Sequence, residues 1–466
     1  MIVFEEKIAR TARVAVVVLA VLLAAGVALP AAAQTQEERI EELERQVEEL
    51  RSALEAARQP AAAGEPVGDD EAEELARRID LLAAEIERLK IGEAAVTADR
   101  SQYGLGPAAT KVYRVDQGLS IGGYGEMLYQ NRSSTRDDGA VSGSKDQIDF
   151  LRAIVYFGYK FNDRWVFNSE LEFEHASTGS GGEASVEFAY LDYLWRPELN
   201  ARAGLLLVPM GLTNELHEPT VFLGARRPDV EQRIIPTTWR ENGFGVFGDV
   251  GPVSYRSYIV NGLEAAGFSA AGLRGGRQKG AQALAEDFAW VGRVDYNGFP
   301  GLLVGGSVYL GDSGQGVTVD GEELAVGTTI YEGHVDWRWR GLQVRALAAQ
   351  AELDDVVELN RLHGDTNTLG IAEEMGGWYV SAAYDVLAGR AGEMALSPYV
   401  RWEEVDTQKE LPPGFTPLRS QDTESLTLGL AFQPIDNVVI KADWQDYDNA
   451  AGTGLDQWNV ALGYIF

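Results

Sequence analysis

Four arginines, Arg226, Arg227, Arg233 and Arg240, crowd a stretch of the chain that fits no regular element. A guanidinium is planar, permanently charged and forks onto carboxylate or phosphate oxygens. Several of them in one segment point to contact with anions rather than to covalent chemistry. The stretch, Leu212 to Asn242, interleaves apolar and charged residues, as in Asn214-Glu-Leu-His-Glu-Pro219 and Val221-Phe-Leu-Gly-Ala-Arg-Arg227. About thirty residues without clean periodicity is longer than an ordinary connection and marks a functional loop.

Residues for other chemistry are absent or badly placed. The chain has no cysteine, which excludes a thiolate nucleophile, a thiolate metal site and a disulfide framework. The four histidines, His175, His217, His334 and His363, show no zinc-ligand spacing. No serine–histidine or aspartate–histidine pair stands out, so neither an enzyme activity nor a cofactor is expected. Gly243-Phe-Gly-Val-Phe-Gly248 has the form of a dinucleotide fingerprint but sits inside a strand pattern with no helix after it. Asp443, Asp446 and Asp448 offer oxygens to a calcium ion, yet read more simply as a solvated acidic loop, and no metal site is assigned. A formal net charge of −31 argues against a nucleic-acid partner.

The elements that must position the arginine loop are extended. In Leu455–Phe466 every second residue is large and apolar (Trp458, Val460, Leu462, Tyr464, Phe466) and those between are small or polar. This is strand periodicity with one apolar face. The same alternation separates Leu151, Ala153, Val155, Phe157 and Tyr159 from Arg152, Tyr156 and Lys160. It separates Tyr331, Val335, Trp337 and Trp339 from Glu332, His334, Asp336 and Arg338. From Leu119 onward about sixteen such strands follow, separated by turn chemistry. Tight turns such as Pro197–Asn200, Gly298–Gly301 and Pro434–Asn437 alternate with longer loops, the asymmetry of a transmembrane barrel.

The fold class expected is therefore an all-β antiparallel transmembrane barrel. A barrel of this size leaves an aqueous channel. Its lumen would be lined by Arg152, Arg202, Arg256, Arg293, Arg338, Arg345 and Arg401, matched by acids that include Glu170, Glu172, Glu174, Asp192, Asp295, Glu332, Asp336 and Asp443. The arginine loop would fold into the barrel, narrow it and bring Arg226, Arg227, Arg233 and Arg240 against passing anions.

Ahead of the barrel, Lys7, Arg10 and Arg13 precede an apolar run and Ala31-Ala32-Ala33, which reads as a secretory signal over residues 1–33. Residues 34–90 carry two heptad seams, Ile40-Leu43-Val47-Leu50-Leu54 and Leu75-Ile79-Leu82-Ile86-Leu89, with a break near 59–70. They read as a periplasmic coiled coil that oligomerises the chain, or as amphipathic helices folded on their own chain. Residues 91–117 read as a linker, and 118–466 as the barrel.

The segment Arg202–Leu212, the long loop and Trp239-Arg-Glu-Asn-Gly-Phe-Gly-Val-Phe-Gly248, with the terminal Phe466, resemble the phosphate-selective porins O and P. The resemblance covers residues 118–466. It implies a homotrimer in the bacterial outer membrane that passes small hydrophilic or anionic solutes by diffusion, surrounded by outer-membrane lipid. Where that family has lysine-rich vestibules, this barrel has only Lys145, Lys160, Lys279, Lys409 and Lys441. The competing expectations are a tether, with an occluded barrel as anchor and the coiled coil on the cell wall, and an outer-membrane enzyme.

Overall fold

The computed structural model describes Leu43, residues 45–51, Leu82 and residues 102–466, apart from positions 116, 178, 180, 366, 367, 391 and 393. Residues 26–97 form one compact unit and the barrel, with everything from Ala98 onward, belongs to another. Of the first unit, residues 45–51 are helical, and Val47 is buried against Leu43, Leu50 and Leu82. A residue of each heptad seam thus meets the other within a single chain. The expected signal peptide and most of both seams lie outside the described residues.

The strands are β1 (Gly118–Arg132), β2 (Gln147–Lys160), β3 (Trp165–Glu174), β4 (Ala184–Arg196), β5 (Leu199–Leu207), β6 (Arg240–Val250), β7 (Val253–Asn261), β8 (Phe288–Phe299) and β9 (Leu302–Asp312). A two-stranded hairpin, β10 (Thr318–Val319) and β11 (Glu322–Glu323), decorates the next loop. The ladder resumes with β12 (Gly327–Trp339), β13 (Leu342–Leu353), β14 (Glu374–Tyr384), β15 (Ala395–Glu410), β16 (Asp422–Ile435), β17 (Val438–Asn449) and β18 (Gln457–Ile465). Sixteen of these strands, all but β10 and β11, close one antiparallel barrel. Closure is made by β1 against β18, in register from Tyr124 opposite Ile465 to Arg132 opposite Gln457. Closing the sheet leaves no strand edge with unpaired backbone groups, which is the condition for strands to cross lipid.

One rim carries short turns, such as those between Val250 and Val253, Phe299 and Leu302, and Ile435 and Val438. The start of β1 and the end of β18 lie at that rim. The opposite rim carries the long connections, among them the β5–β6 loop, the β7–β8 loop and the β13–β14 loop with helix α3 (Val356–His363). Helices α1 (Lys111–Arg114) and α2 (Val230–Arg233) are single turns. In barrels of this kind the short-turn rim is periplasmic and the long-loop rim extracellular.

Along β18 burial alternates residue by residue, with Trp458, Val460, Leu462 and Tyr464 exposed and the residues between them buried. The same holds around the wall, where Leu171, Phe244, Trp290, Val304 and Leu428 point outward and exposed. Apolar side chains thus face out and charged ones face in, the reverse of a water-soluble sandwich. Gly125 has a specific role here. A Cβ at this position would come within 2.4 Å of the Tyr464 hydroxyl oxygen. Glycine lets that ring lie over the seam between β1 and β18.

Val460 lies in the middle of the outer face of β18, between Trp458 and Tyr464. Val460→Arg is expected to destabilise the barrel in phospholipid vesicles by roughly 2–4 kcal/mol, read from the denaturant midpoint of unfolding. A change near zero would mean that this face does not meet lipid.

Candidate functional site

The long loop folds inward. None of residues 208–239 is exposed, although they connect two strands at the extracellular rim. Its base is fastened by Asn214, whose amide donates to the Val208 and Trp239 carbonyls at 2.6 and 2.9 Å and whose oxygen accepts from the Trp239 amide at 2.6 Å. Its helical turn α2 is held by Glu231, which accepts from the Thr213 amide and hydroxyl at 2.6 and 2.9 Å and from the Tyr379 hydroxyl of β14 at 2.8 Å.

From there the loop reaches across to the far wall. The Val230 amide donates to Glu403 of β15 at 2.7 Å, and the Ala225 amide to Asp443 of β17 at 2.7 Å. Lys441 donates to the Phe222 carbonyl at 2.8 Å and stands 3.8 Å from the Phe222 ring centroid. Arg401 donates to the Arg226 carbonyl at 3.1 Å. Charged wall groups therefore hold loop backbone, an efficient use of charge-assisted hydrogen bonds.

On the near wall Glu215 of the loop joins a buried ionic network. Its carboxylate lies 3.3 Å from Arg256 and 3.8 Å from Arg293. Asp295 pairs with the same guanidiniums at 3.2 and 2.8 Å and meets His334 at 2.8 Å, while His334 reaches Glu332 at 2.8 Å. Arg293 also donates to the Gly211 carbonyl of the loop. Next to this network His217 contacts the Asn214 carbonyl through Nδ1 at 2.8 Å and Glu170 through Nε2 at 3.2 Å. A carbonyl only accepts, so Nδ1 carries a proton. Burial, and then the nearby Arg227 charge, push the imidazole down to about 4. Neutral His217 therefore presents an unprotonated Nε2 to Glu170 and is not the cationic half of an ion pair with it.

Residues 102–115, read from the sequence as part of a linker, lie inside the lumen. Gly104 through Thr110 are buried. Glu218 of the long loop accepts from the amides of Ala108 and Ala109 at 3.0 and 3.3 Å. Burial pushes the Glu218 carboxyl up to about 8, against the pull of those two amide donors. The segment is tied to the wall as well. Asn168 donates to the Ala109 carbonyl at 3.1 Å, Arg202 to the Tyr103 carbonyl at 3.2 Å, and the Tyr113 hydroxyl to Asp192 at 2.6 Å. Arg202 is itself paired with Asp192 at 2.8 Å. Loop and segment together pack the middle of the barrel, so the wall charges there are buried. Sixteen strands alone would leave an aqueous bore at this height; here chain fills it.

Of the residues expected to line the lumen, Arg152, Arg202, Arg256, Arg293, Arg345, Arg401, Glu170 and Glu172 face inward and are buried. Asp336 and Arg338 also face inward, nearer the periplasmic rim, where Asp336 pairs with Arg345 at 2.6 Å and Arg338 at 3.4 Å. Arg152 pairs with Glu126 at 3.3 Å, and Arg401 approaches Glu403 at 3.7 Å.

The four loop arginines separate. Arg240 is not in the loop but opens β6, and it pairs with Glu187 at 2.8 Å and Ser185 at 3.0 Å. Arg233 reaches only neutral acceptors, Thr423 at 3.1 Å, Thr407 at 3.4 Å, and Gln421. Arg227 has an Nε and an Nη2 with no hydrogen-bond partner among the described residues. Burial, and then the Arg152 charge, lower its guanidinium to about 10, so it stays charged at neutral pH. Arg226 is half-buried beside it. Glu215, Glu218 and Glu231 were not singled out in the sequence, because nothing in the local pattern distinguishes a carboxylate that fastens a loop from one that faces water. No cluster of three or more acids and histidines fit to hold a metal occurs among the described residues.

A closed antiparallel barrel of sixteen strands, apolar outside and charged inside, with a loop folded into its lumen, is the architecture of a transmembrane β-barrel. Over 375 residues the chain is 38% identical to an uncharacterized protein of Aquifex aeolicus, covering 78% of this chain and 83% of that one, and it belongs to the same family. No protein-family model matches it. Among solved structures, the anion-selective porin of Comamonas acidovorans superposes with a TM-score of 0.48 at 13% identity, over 75% of this chain and 100% of that one. The outer-membrane channel DcaP of Acinetobacter baumannii gives 0.48 at 12%, over 75% and 97%. OmpF of Salmonella typhi, solved with daunomycin, gives 0.48 at 11%, over 75% and 98%.

Two substitutions test the packing of the lumen. Asp295→Ala removes the shared partner of Arg256, Arg293 and His334, and is expected to cost about 3–5 kcal/mol, seen as a lower midpoint of heat-induced unfolding in detergent. Glu218→Ala is expected to leave the barrel folded but to speed trypsin cleavage after Lys111 in the lumen segment. Unchanged cleavage would mean that Glu218 does not hold that segment.

Proposed function

We propose that the protein is an outer-membrane channel for small hydrophilic solutes with a preference for anions, drawn here in a closed conformation. The observation that carries this is the set Arg226, Arg227 and Arg233. These charges sit on a loop inside the lumen, with no carboxylate paired to them among the described residues. The wall charges around them are mostly paired. These are the cationic groups left over to meet a solute, and guanidinium groups suit oxyanions such as phosphate.

Transport then needs movement. The long loop and residues 102–115 are the parts that lie across the path, and both are attached by hydrogen bonds and ion pairs rather than by the sheet ladder. Passage is diffusion through the space they vacate, with no bond made or broken in the solute. A homotrimer, as in the resemblance to porins O and P, and a periplasmic coiled coil from residues 34–90 complete the proposal.

The packed lumen favours a second reading, in which the barrel is only an anchor and the N-terminal unit a tether to the cell wall. Planar-bilayer recording separates the two. The channel gives stepwise conductance with an anion-side reversal potential under a salt gradient, and the triple variant Arg226→Gln/Arg227→Gln/Arg233→Gln shifts that potential toward zero. Steps with an unchanged reversal potential in the variant would remove the three arginines from the filter. No steps from correctly folded protein would favour the tether.

A further inference from the structure

Residues 102–115 fill a crescent between the long loop and one side of the barrel, and they meet each strand of the inner wall from β1 to β7. Gly122 on β1 lies against the Ala108 carbonyl, and Gly158 on β2 against Val112. Asn168 on β3 donates to the Ala109 carbonyl, Asp192 on β4 accepts from the Tyr113 hydroxyl, and Arg202 on β5 donates to the Tyr103 carbonyl. The Tyr103 ring stands edge-on to Phe247 of β6 at 5.2 Å and to Tyr113 at 5.0 Å. On β7, Arg256 closes against Gly104, where a Cβ would come within 2.9 Å of its Nε.

The wall is shaped to receive this segment. A Cβ at position 158 would fall 2.6 Å from Val112 Cγ2, and one at position 122 would fall 2.9 Å from the Ala108 carbonyl oxygen. Glycine at both places leaves the recess in which the segment lies, and Val112 is 1% exposed there. The attachment to the sheet is one-sided. The long loop runs into a ladder strand at each end, β5 and β6, whereas the segment runs into one only at β1. That end lies at the periplasmic rim, where Lys160 donates to the Val115 carbonyl at 2.9 Å. Elsewhere the segment's backbone pairs with backbone only in its own turns, at Leu105, Thr110, Lys111 and Tyr113, among the described residues. Chain held by side-chain contacts and one strand end opens more readily than chain braced at both ends.

We propose that residues 102–115 are the gate of the channel, a plug that leaves its recess ahead of the long loop and swings out at the periplasmic rim about its β1 end. Seated, it closes the crescent along β1–β7. Withdrawn, it opens that crescent to water, with Asp192, Arg202 and Arg256 on the exposed wall. The proposal rests on the channel reading and adds what regulates it.

Two substitutions unseat the plug from opposite sides. Val112→Asp buries a carboxylate in the recess from a residue outside the sheet, and Gly158→Leu fills the recess from the wall. Planar-bilayer recording of the full-length protein gives the open probability. The reporter of position is Ala108→Cys, a fully buried site in a chain that has no cysteine. In nanodiscs it is offered a maleimide polymer too wide to enter a sixteen-strand bore, and labelling is read as a gel shift. Both substitutions are expected to raise the open probability at least about tenfold, the scale of losing one buried valine, and to speed labelling of Ala108→Cys by a similar factor. Variants with the open probability of a conducting wild type would overturn the plug and leave the channel standing. Higher open probability with unchanged labelling would also overturn it, because the segment would then stay seated while another part moves. Folded wild type and variants that all give no steps would overturn the channel reading, and the plug with it.

Discussion

Sixteen strands closed on themselves enclose more space than their own side chains can fill, and here the inner wall of that space carries charge on strand after strand. A charge held away from water is costly unless it is paired and hydrogen-bonded. The lumen therefore has to be either flooded or furnished with partners. In this protein it is furnished. The long β5–β6 loop brings the Glu215 carboxylate to Arg256 and Arg293, and its amides and carbonyls to Glu403, Asp443, Lys441 and Arg401.

The same requirement explains the lumen segment at residues 102–115. The loop introduces Glu218, buried at the centre of the barrel, and a buried carboxylate needs donors. The amides of Ala108 and Ala109 provide them, and the segment's own carbonyls are answered by Asn168 and Arg202. Loop and segment depend on each other, and each is held by contacts to several strands. A fastening built from many polar contacts differs from an apolar core. Removing one partner leaves another charge unpaired, so the packing is specific in geometry.

The proposed function rests on what this pairing leaves over. Most inward arginines are matched by an inward acid. Arg226, Arg227 and Arg233 lie outside that matching, and Arg227 is the clearest case, with two guanidinium nitrogens that nothing in the described structure satisfies.

The sequence by itself determined the barrel. Period-two alternation in segments such as Gln457–Ile465 and Gln147–Lys160 assigns each side chain to a face without reference to any other strand, and turn residues mark where strands end. It also assigned the inward residues, because parity along a strand is a local property. It marked the long loop as exceptional by its lack of period. Only the tertiary structure decided which charges are spent. Arg240 and Arg233 look alike in sequence, yet one opens a strand beside Glu187 and the other ends among threonine and glutamine. Residues 102–115 read as a linker because nothing local records contacts made 110 residues away by Glu218. Strand parity comes from backbone geometry, which neighbours in sequence set. Charge pairing comes from distances between elements, which only closure of the barrel and insertion of the loop can set.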